Sequence, residues 1–269
     1  MLAVGKELLI GRTLDTNALW IGRRLARMGS MLKEVTTVDD DLDEIGAALN
    51  QALRRSPDFL VVVGGLGPTP DDMTLKGVAG ALGVNVRLDQ RALALIKEHY
   101  AKRGLTMIEL TPSRLKMARL PVGAEPVLNE SGTAPGVRLV RGGTTVFCLP
   151  GVPAEMRGIF RKTVEPEVRA KLGRLHRRYI TMKLEGVLES ALAPIISKEL
   201  GRHLGAYIKS HPRGIREGVS RIELDIAVVG EDKKRTDAEA EKIAEEMSRA
   251  VADSGGMVVS AMGIKGGGA

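Results

Sequence analysis

One cysteine, one tryptophan, three tyrosines and three phenylalanines stand in 269 residues, and each scarcity removes a class of protein. A single thiol, Cys148, makes neither an internal disulfide nor a thiolate zinc site, and no histidine shares a local motif with it. Its apolar, strand-like neighbours Val146, Phe147 and Leu149 assign it to core packing. So few rings leave little for stacking bases, so nucleic acid is not expected as a partner. No apolar run reaches the roughly 20 residues of a spanning helix. The start, where Leu2 to Val4 meets Lys6 and Glu7, lacks the apolar core of a secretory signal. A cytoplasmic protein without membrane contact is the expectation. The four histidines, His99, His176, His203 and His211, share no metal-ligand spacing and read as surface or loop residues. No serine sits in a nucleophile elbow, and no Gly-Lys-Ser or Gly-Lys-Thr marks a Walker loop.

What is present is ordinary for a globular chain, 43% hydrophobic and 27% charged. The net charge of +7 favours anionic ligands without choosing among them. The clusters Arg23, Arg24, Arg27 and Arg174, His176, Arg177, Arg178 read first as solvated faces. The length exceeds one typical domain. Ala18, Ile21, Leu25 and Met28 recur at helical spacing up to Gly29, with Asp15 or Thr16 as cap. A strand over Leu32 to Val38, the acidic turn Asp39 to Asp41 and a helix through Ile45, Leu49 and Leu53 follow. Phe59 to Val63 is apolar throughout, as a strand buried on both faces requires. Helices over Val78 to Leu82 and Leu93 to Tyr100 come next, then a short helix after Pro112, a hairpin turning at Arg141 to Gly143, and the strand Thr145 to Leu149. A helix from Pro153 to about Leu172 closes this part. The alternation predicts an α/β domain with a doubly wound, mainly parallel sheet over residues 1–172. A linker over Gly173 to Arg178 leads to a small α+β domain over 173–262: a strand Tyr179 to Leu184, a helix Ser190 to Leu200, strands Ala206 to Lys209 and Ile222 to Val229, a charged helix Asp237 to Val251, and an edge strand from Met257. Residues 263–269, ending in the Gly-rich Gly266 to Ala269, are expected as a flexible tail.

The densest chemistry lies between the buried strand and the next helix, in Gly64-Gly65-Leu66-Gly67-Pro68-Thr69-Pro70-Asp71-Asp72-Met73-Thr74. Glycines let backbone approach a ligand closely. The amides of Gly64, Gly65 and Gly67, the Thr69 and Thr74 hydroxyls and a helix N-terminus are donors suited to phosphate. The loop follows the carboxyl end of a parallel strand, where open α/β sheets bind ligands. Asp71 and Asp72 would repel phosphate unless a divalent cation intervened, so a metal held by Asp72 and Asp40 is implied. The competing reading makes Asp71 a helix cap and Asp40 part of a solvated turn. Asn129 to Gly136, with Gly132 and Thr133, and Leu149 to Met156, with Pro150 and Gly151, carry loop chemistry on the same edge of the sheet.

These residues resemble the amino-terminal part of the competence/damage-inducible protein A (CinA) family, within the MoaB/MogA-like molybdopterin-binding superfamily. Gly5 to Gly11 with Asp15-Thr16-Asn17 is similar to the family's opening motif, Gly64 to Thr74 to its signature, and Ser131 to Gly136 with Leu149 to Met156 to the remaining two, in order over residues 1–160. The later residues, among them Gly186 to Leu192, are similar to the family's small middle domain. The resemblance implies a nucleotide pyrophosphatase that cleaves ADP-ribose or a related diphosphate with Mg²⁺, Mn²⁺ or Co²⁺. Asp72, Asp40 and Asp71 would be catalytic, and Glu7, Asn17 and Glu155 would support them. It leaves open a molybdopterin-binding or adenylyl-transfer protein of cofactor biosynthesis, and a non-catalytic nucleotide binder. The family's habit predicts a homo-oligomer. The family's nicotinamide-nucleotide deamidase domain is not in this sequence, so that activity is not expected of it, and a deamidase on a separate chain would be a partner. The first strand is a few residues shorter at Met1 than in the family.

Overall fold

A computed structural model describes residues 1–105, 109–173 and 175–265. Arg174 of the expected basic linker and the tail residues Gly266 to Ala269 lie outside the described residues. The chain divides into two compact units, one of Met1–Arg23 with Leu32–Lys171, the other of Arg24–Met31 with the chain from Leu172 onward.

In chain order the first part carries β1 (Leu2–Val4), α1 (Lys6–Leu9), α2 (Thr16–Arg27), β2 (Thr36–Val38), α3 (Leu42–Leu53), β3 (Phe59–Val63) and α4 (Thr74–Ala81). Then come β4 (Val86–Leu88), α5 (Gln90–Lys102), α6 (Pro112–Lys116), β5 (Arg119–Pro121), β6 (Glu125–Val127), β7 (Gly136–Arg141), β8 (Thr144–Leu149), α7 (Pro153–Ile159) and α8 (Glu165–Leu172). Six strands form one sheet in the order β2-β1-β3-β8-β7-β6. β2, β1, β3 and β8 run parallel, and β7 and β6 add an antiparallel edge. This is the mainly parallel, doubly wound sheet expected. Chain order reverses between β1 and β3, since β2 lies on one side of β1 and β3 on the other, and ligands bind such sheets at this kind of switch point.

Burial explains the central strands. Leu60 to Val63 of β3 and Val146 to Leu149 of β8 are all buried, Cys148 among them, and burial pushes the Cys148 thiol pKa up to about 12. Asp41 caps α3 by accepting from the Asp43 and Glu44 amides, and Asp15 caps α2 by accepting from the Ala18 amide at 2.8 Å. Gly77 lets α4 lie against α3, because a Cβ there would come within 2.7 Å of Ile45.

Some expectations need correction. The strand expected over Leu32 to Val38 shortens to Thr36–Val38, because Val35 is exposed and finds no sheet partner. The helix expected from Pro153 is interrupted by a π-helical turn over Phe160–Val164, immediately ahead of Pro166, which cannot donate within a helix. The strands β4, β5 and β6 and the four-residue α1 were not foreseen, being too short to show periodicity.

The second unit carries β9 (His176–Glu185), α9 (Glu189–Arg202), β10 (Tyr207–Arg216), β11 (Val219–Gly230), α10 (Lys233–Asp253) and β12 (Met257–Lys265). An antiparallel sheet, ordered β10-β11-β9-β12, buries Met182, Leu184, Leu224 and Ile226 against Leu192 of α9 and Ile243 and Met247 of α10. β12 continues to Lys265 at the sheet edge, so residues 263–265, expected in the tail, are paired with β9. No described helix is long and apolar enough to cross a membrane.

Candidate functional site

The parallel strands deliver four loops to one edge of the first unit: Gly5 after β1, Asp39 and Asp40 after β2, Gly64 after β3 and Pro150 after β8. Between them lies a pocket of about 560 Å³, a size that suits a small cofactor or nucleotide. Glu7, Asn17, Asp40, Gly64, Gly65, Gly67, Asp71, Asp72, Thr133, Pro150, Gly151 and Glu155 all line it. Strand ends placed the residues of the 40, 64–74, 133 and 150–155 segments at one sheet edge and the family resemblance named Glu7 and Asn17, and the fold brings them together.

The glycines have a reason the sequence did not reveal. Gly64 takes φ +111°, and a Cβ would collide with the Val4 carbonyl of the adjacent strand. A Cβ on Gly65 would collide with the Thr74 hydroxyl, and one on Gly67 would lie 2.6 Å from an Asp72 carboxylate oxygen. The loop is therefore folded onto itself. Thr74 is fully buried and donates to the Gly64 carbonyl at 2.8 Å. Thr69 donates to Asp72 Oδ2 from its amide at 2.8 Å and its hydroxyl at 2.6 Å. Neither threonine lines the pocket, so the phosphate-donor role expected of them is replaced by holding the loop and orienting Asp72. α4 begins after Met73 without a side-chain cap, so Asp71 is not the cap weighed for it.

Gly132 likewise stays out of the pocket wall. Its amide donates to Asn129 Oδ1 at 2.9 Å, and a Cβ on it would collide with the Glu155 carboxylate. Buried Asn129 also donates from Nδ2 to the Ala134 carbonyl at 2.8 Å and to Glu155 Oε2 at 2.7 Å. Asn129 thus organises the 129–134 loop and aims Glu155. Sequence reasoning quoted it only as part of a turn, although a buried asparagine opening a Gly-rich loop is the available signal. Asn17 donates from Nδ2 to the Gly151 carbonyl at 2.7 Å, tying the start of α2 to the loop after β8. The remaining acceptors Asn17 Oδ1 and Asp15 Oδ2 are buried without a hydrogen-bond partner, in two residues of the pocket wall.

Charge sets the character of the pocket. Glu7, Asp15, Asp40, Asp71, Asp72 and Glu155 line it, and among the described residues no lysine, arginine or histidine does. Burial, together with the charges of Glu7, Asp39 and Asp71, raises the Asp40 carboxyl pKa despite the amide of Lys6, which donates to it at 3.0 Å. The Thr69 hydroxyl, which Asp71 shares with Asp72, and then its own backbone amide hold the Asp71 carboxyl below its ordinary value. Cations stand beside the lining without forming part of it: Lys6 pairs with Asp39 at 3.3 Å, and Lys116 donates to the Thr69 carbonyl, close enough to Asp72 and Asp71 to feel their charge. Asp40 and Asp72 do not join a third ligand in a tight cluster. Among the described residues, three metal-ligating groups with donor atoms within 4.8 Å of one another occur at Glu199, His203 and Glu246, in the second unit.

Residues 1–170 match the family described as "Probable molybdopterin binding domain". A protein of Aeropyrum pernix is 41% identical over 260 residues, covering 96% of this chain and 95% of its own. One of Metallosphaera sedula is 39% identical over 256 residues, 95% of each. The crystal structure of the protein CinA from Thermoplasma acidophilum, a protein of unknown function, is 45% identical with a TM-score of 0.56, covering 61% of this chain and 95% of that one. With its mainly parallel sheet and the loops gathered at its edge, the chain belongs to the molybdopterin-binding, MoaB/MogA-like domain family, as a protein of the CinA amino-terminal kind.

Proposed function

We propose that the pocket binds a molybdopterin-type, phosphate-bearing ligand together with a divalent cation. The observation that carries this reading is the lining itself, six acidic side chains and no basic one. A phosphate entering such a wall meets repulsion from its carboxylates unless a cation lies between. The residues fit that arrangement, because Mg²⁺ is commonly held by one or two carboxylates while ligand phosphates and water complete its shell. Asp72 and Asp40 would hold it. The cation, when bound, neutralises phosphate charge and lowers the pKa of bound water. Thr69 holds Asp72 in place, and the amides of Gly65 and Gly67 line the path of the phosphate. Leu66, Tyr100, Met117 and Ala134 give the same pocket an apolar side for a planar ring.

One observation favours a second reading, the cleavage of ADP-ribose or a related diphosphate. The carboxylates of the wall would hold a cation that lowers the pKa of a bound water, the nucleophile such a cleavage needs. Asp71, at the mouth, would then assist with charge and not with proton transfer.

Incubation of the protein with molybdopterin, ADP-ribose, FAD, coenzyme A and ATP, each with and without Mg²⁺, Mn²⁺ or Co²⁺ and beside Asp72→Ala, separates the readings. Metal-dependent molybdopterin binding that is lost in the variant, without turnover of any diphosphate, supports the first. Metal-dependent release of AMP, also lost in the variant, supports the second. Equal binding with and without metal contradicts both.

A further inference from the structure

His203 was expected to decorate a surface or loop, and it does not. It is only 6% exposed and lies at the C-terminal end of α9 in the second unit, facing α10. Its Nδ1 contacts Glu239 and its Nε2 lies 2.8 Å from Glu246 Oε2, both on α10. One turn back on α9, Glu199 is 4% exposed. Its Oε1 pairs with Arg202 at 3.2 Å, while its Oε2 lies 3.7 Å from His203 Nε2 and has no hydrogen-bond partner. A buried carboxylate oxygen without a donor is costly, and its neighbours are another carboxylate and a histidine nitrogen already shared with that carboxylate.

We propose that Glu199, His203 and Glu246 form a zinc site joining α9 to α10, with Glu239 as the positioning residue. Imidazole and carboxylate are ordinary zinc ligands. Bonds of about 2.1 Å in a tetrahedral shell set neighbouring ligand atoms roughly 3.4 Å apart, and the 2.8 and 3.7 Å separations bracket that value. The orphaned Glu199 oxygen gains the missing partner. Glu239, accepting from Nδ1–H, leaves the Nε2 lone pair for the metal, the carboxylate–histidine relation common at such sites. The sequence carries the signal as Glu199 and His203 four apart on one helix face. No histidine lines the pocket of the first unit, so the two sites differ in ligand chemistry.

The test uses the full chain, stripped with chelator and loaded with Zn²⁺, as wild type, His203→Gln, Glu239→Gln and Asp72→Asn. The expected result is one tightly held zinc that survives Asp72→Asn and is lost in His203→Gln. Its X-ray absorption should show one imidazole nitrogen among oxygen donors. Glu239→Gln, at a half-exposed helix position, keeps the fold and weakens zinc by about 10–100-fold. An all-oxygen shell in the wild type, equal zinc retention by His203→Gln, or no retained zinc would overturn the proposal. The spectrum decides even if His203→Gln fails to fold.

Discussion

At the scale of single residues, the glycines of the 64–74 loop serve the loop before they serve a ligand. Gly64 combines a positive φ with the Val4 carbonyl where a side chain would begin. Gly64→Ala should therefore destabilise the protein by about 3 kcal/mol, seen as an earlier midpoint in urea unfolding, whether or not ligand is present. Asp40 makes a prediction of opposite sign. Its folded pKa lies above the ordinary carboxylate value of 3.8. The folded protein is therefore penalised progressively as pH rises from that value through the raised one, and carries the full penalty above it. Asp40→Asn should raise the melting temperature by roughly 1–3 °C near neutral pH and leave it unchanged at low pH. The same variant should lose metal-dependent ligand binding. An equal shift at both pH values would show that repulsion around Asp40 is not the cause. The sequence made the pocket carboxylates legible because paired aspartates in a Gly-rich loop are chemically unusual. It did not reveal that Thr69 bonds Asp72 or that Thr74 turns inward to the Gly64 carbonyl, because both depend on contacts made only when the loop closes.

At the scale of elements, β3 was legible from end to end because burial on both faces leaves an unbroken apolar run, and β8 was legible to within one residue from its apolar half. β2 was overextended because an exposed apolar residue, Val35, looks in sequence like a strand residue. β4, β5 and β6 have three residues each and owe their existence to partners distant in sequence. The junction of β3 with α4 is tied by the buried hydrogen bond from the Thr74 hydroxyl to the Gly64 carbonyl, beside that from the Thr74 amide to the Gly65 carbonyl. Thr74→Val keeps the volume and removes the donor, so it should cost about 1–3 kcal/mol of stability. The loop should also lose its setting, which calorimetry would read as weaker ligand binding. Thr74→Ser, which retains the hydroxyl, should recover most of the binding. If Thr74→Val binds ligand as tightly as the wild type, the junction does not set the pocket.

At the scale of the whole molecule, the charge of the site is opposite to that of the chain. The protein carries a net +7, yet its pocket is walled by acidic groups. Composition favoured an anionic ligand, yet among the described residues no lysine, arginine or histidine lines the pocket. On the proposed reading a cation bound with the ligand reconciles an acidic pocket with an anionic ligand, and linkage then requires each to tighten the other by the same factor. The most direct measurement is a calorimetric titration of the protein with ADP, a simple phosphate-bearing probe, in chelator and again in Mg²⁺, with Asp72→Asn alongside. The account predicts binding at least about tenfold tighter with Mg²⁺, a gain of roughly 1.4 kcal/mol, that disappears in the variant. Binding of equal strength in chelator and in Mg²⁺ would contradict it.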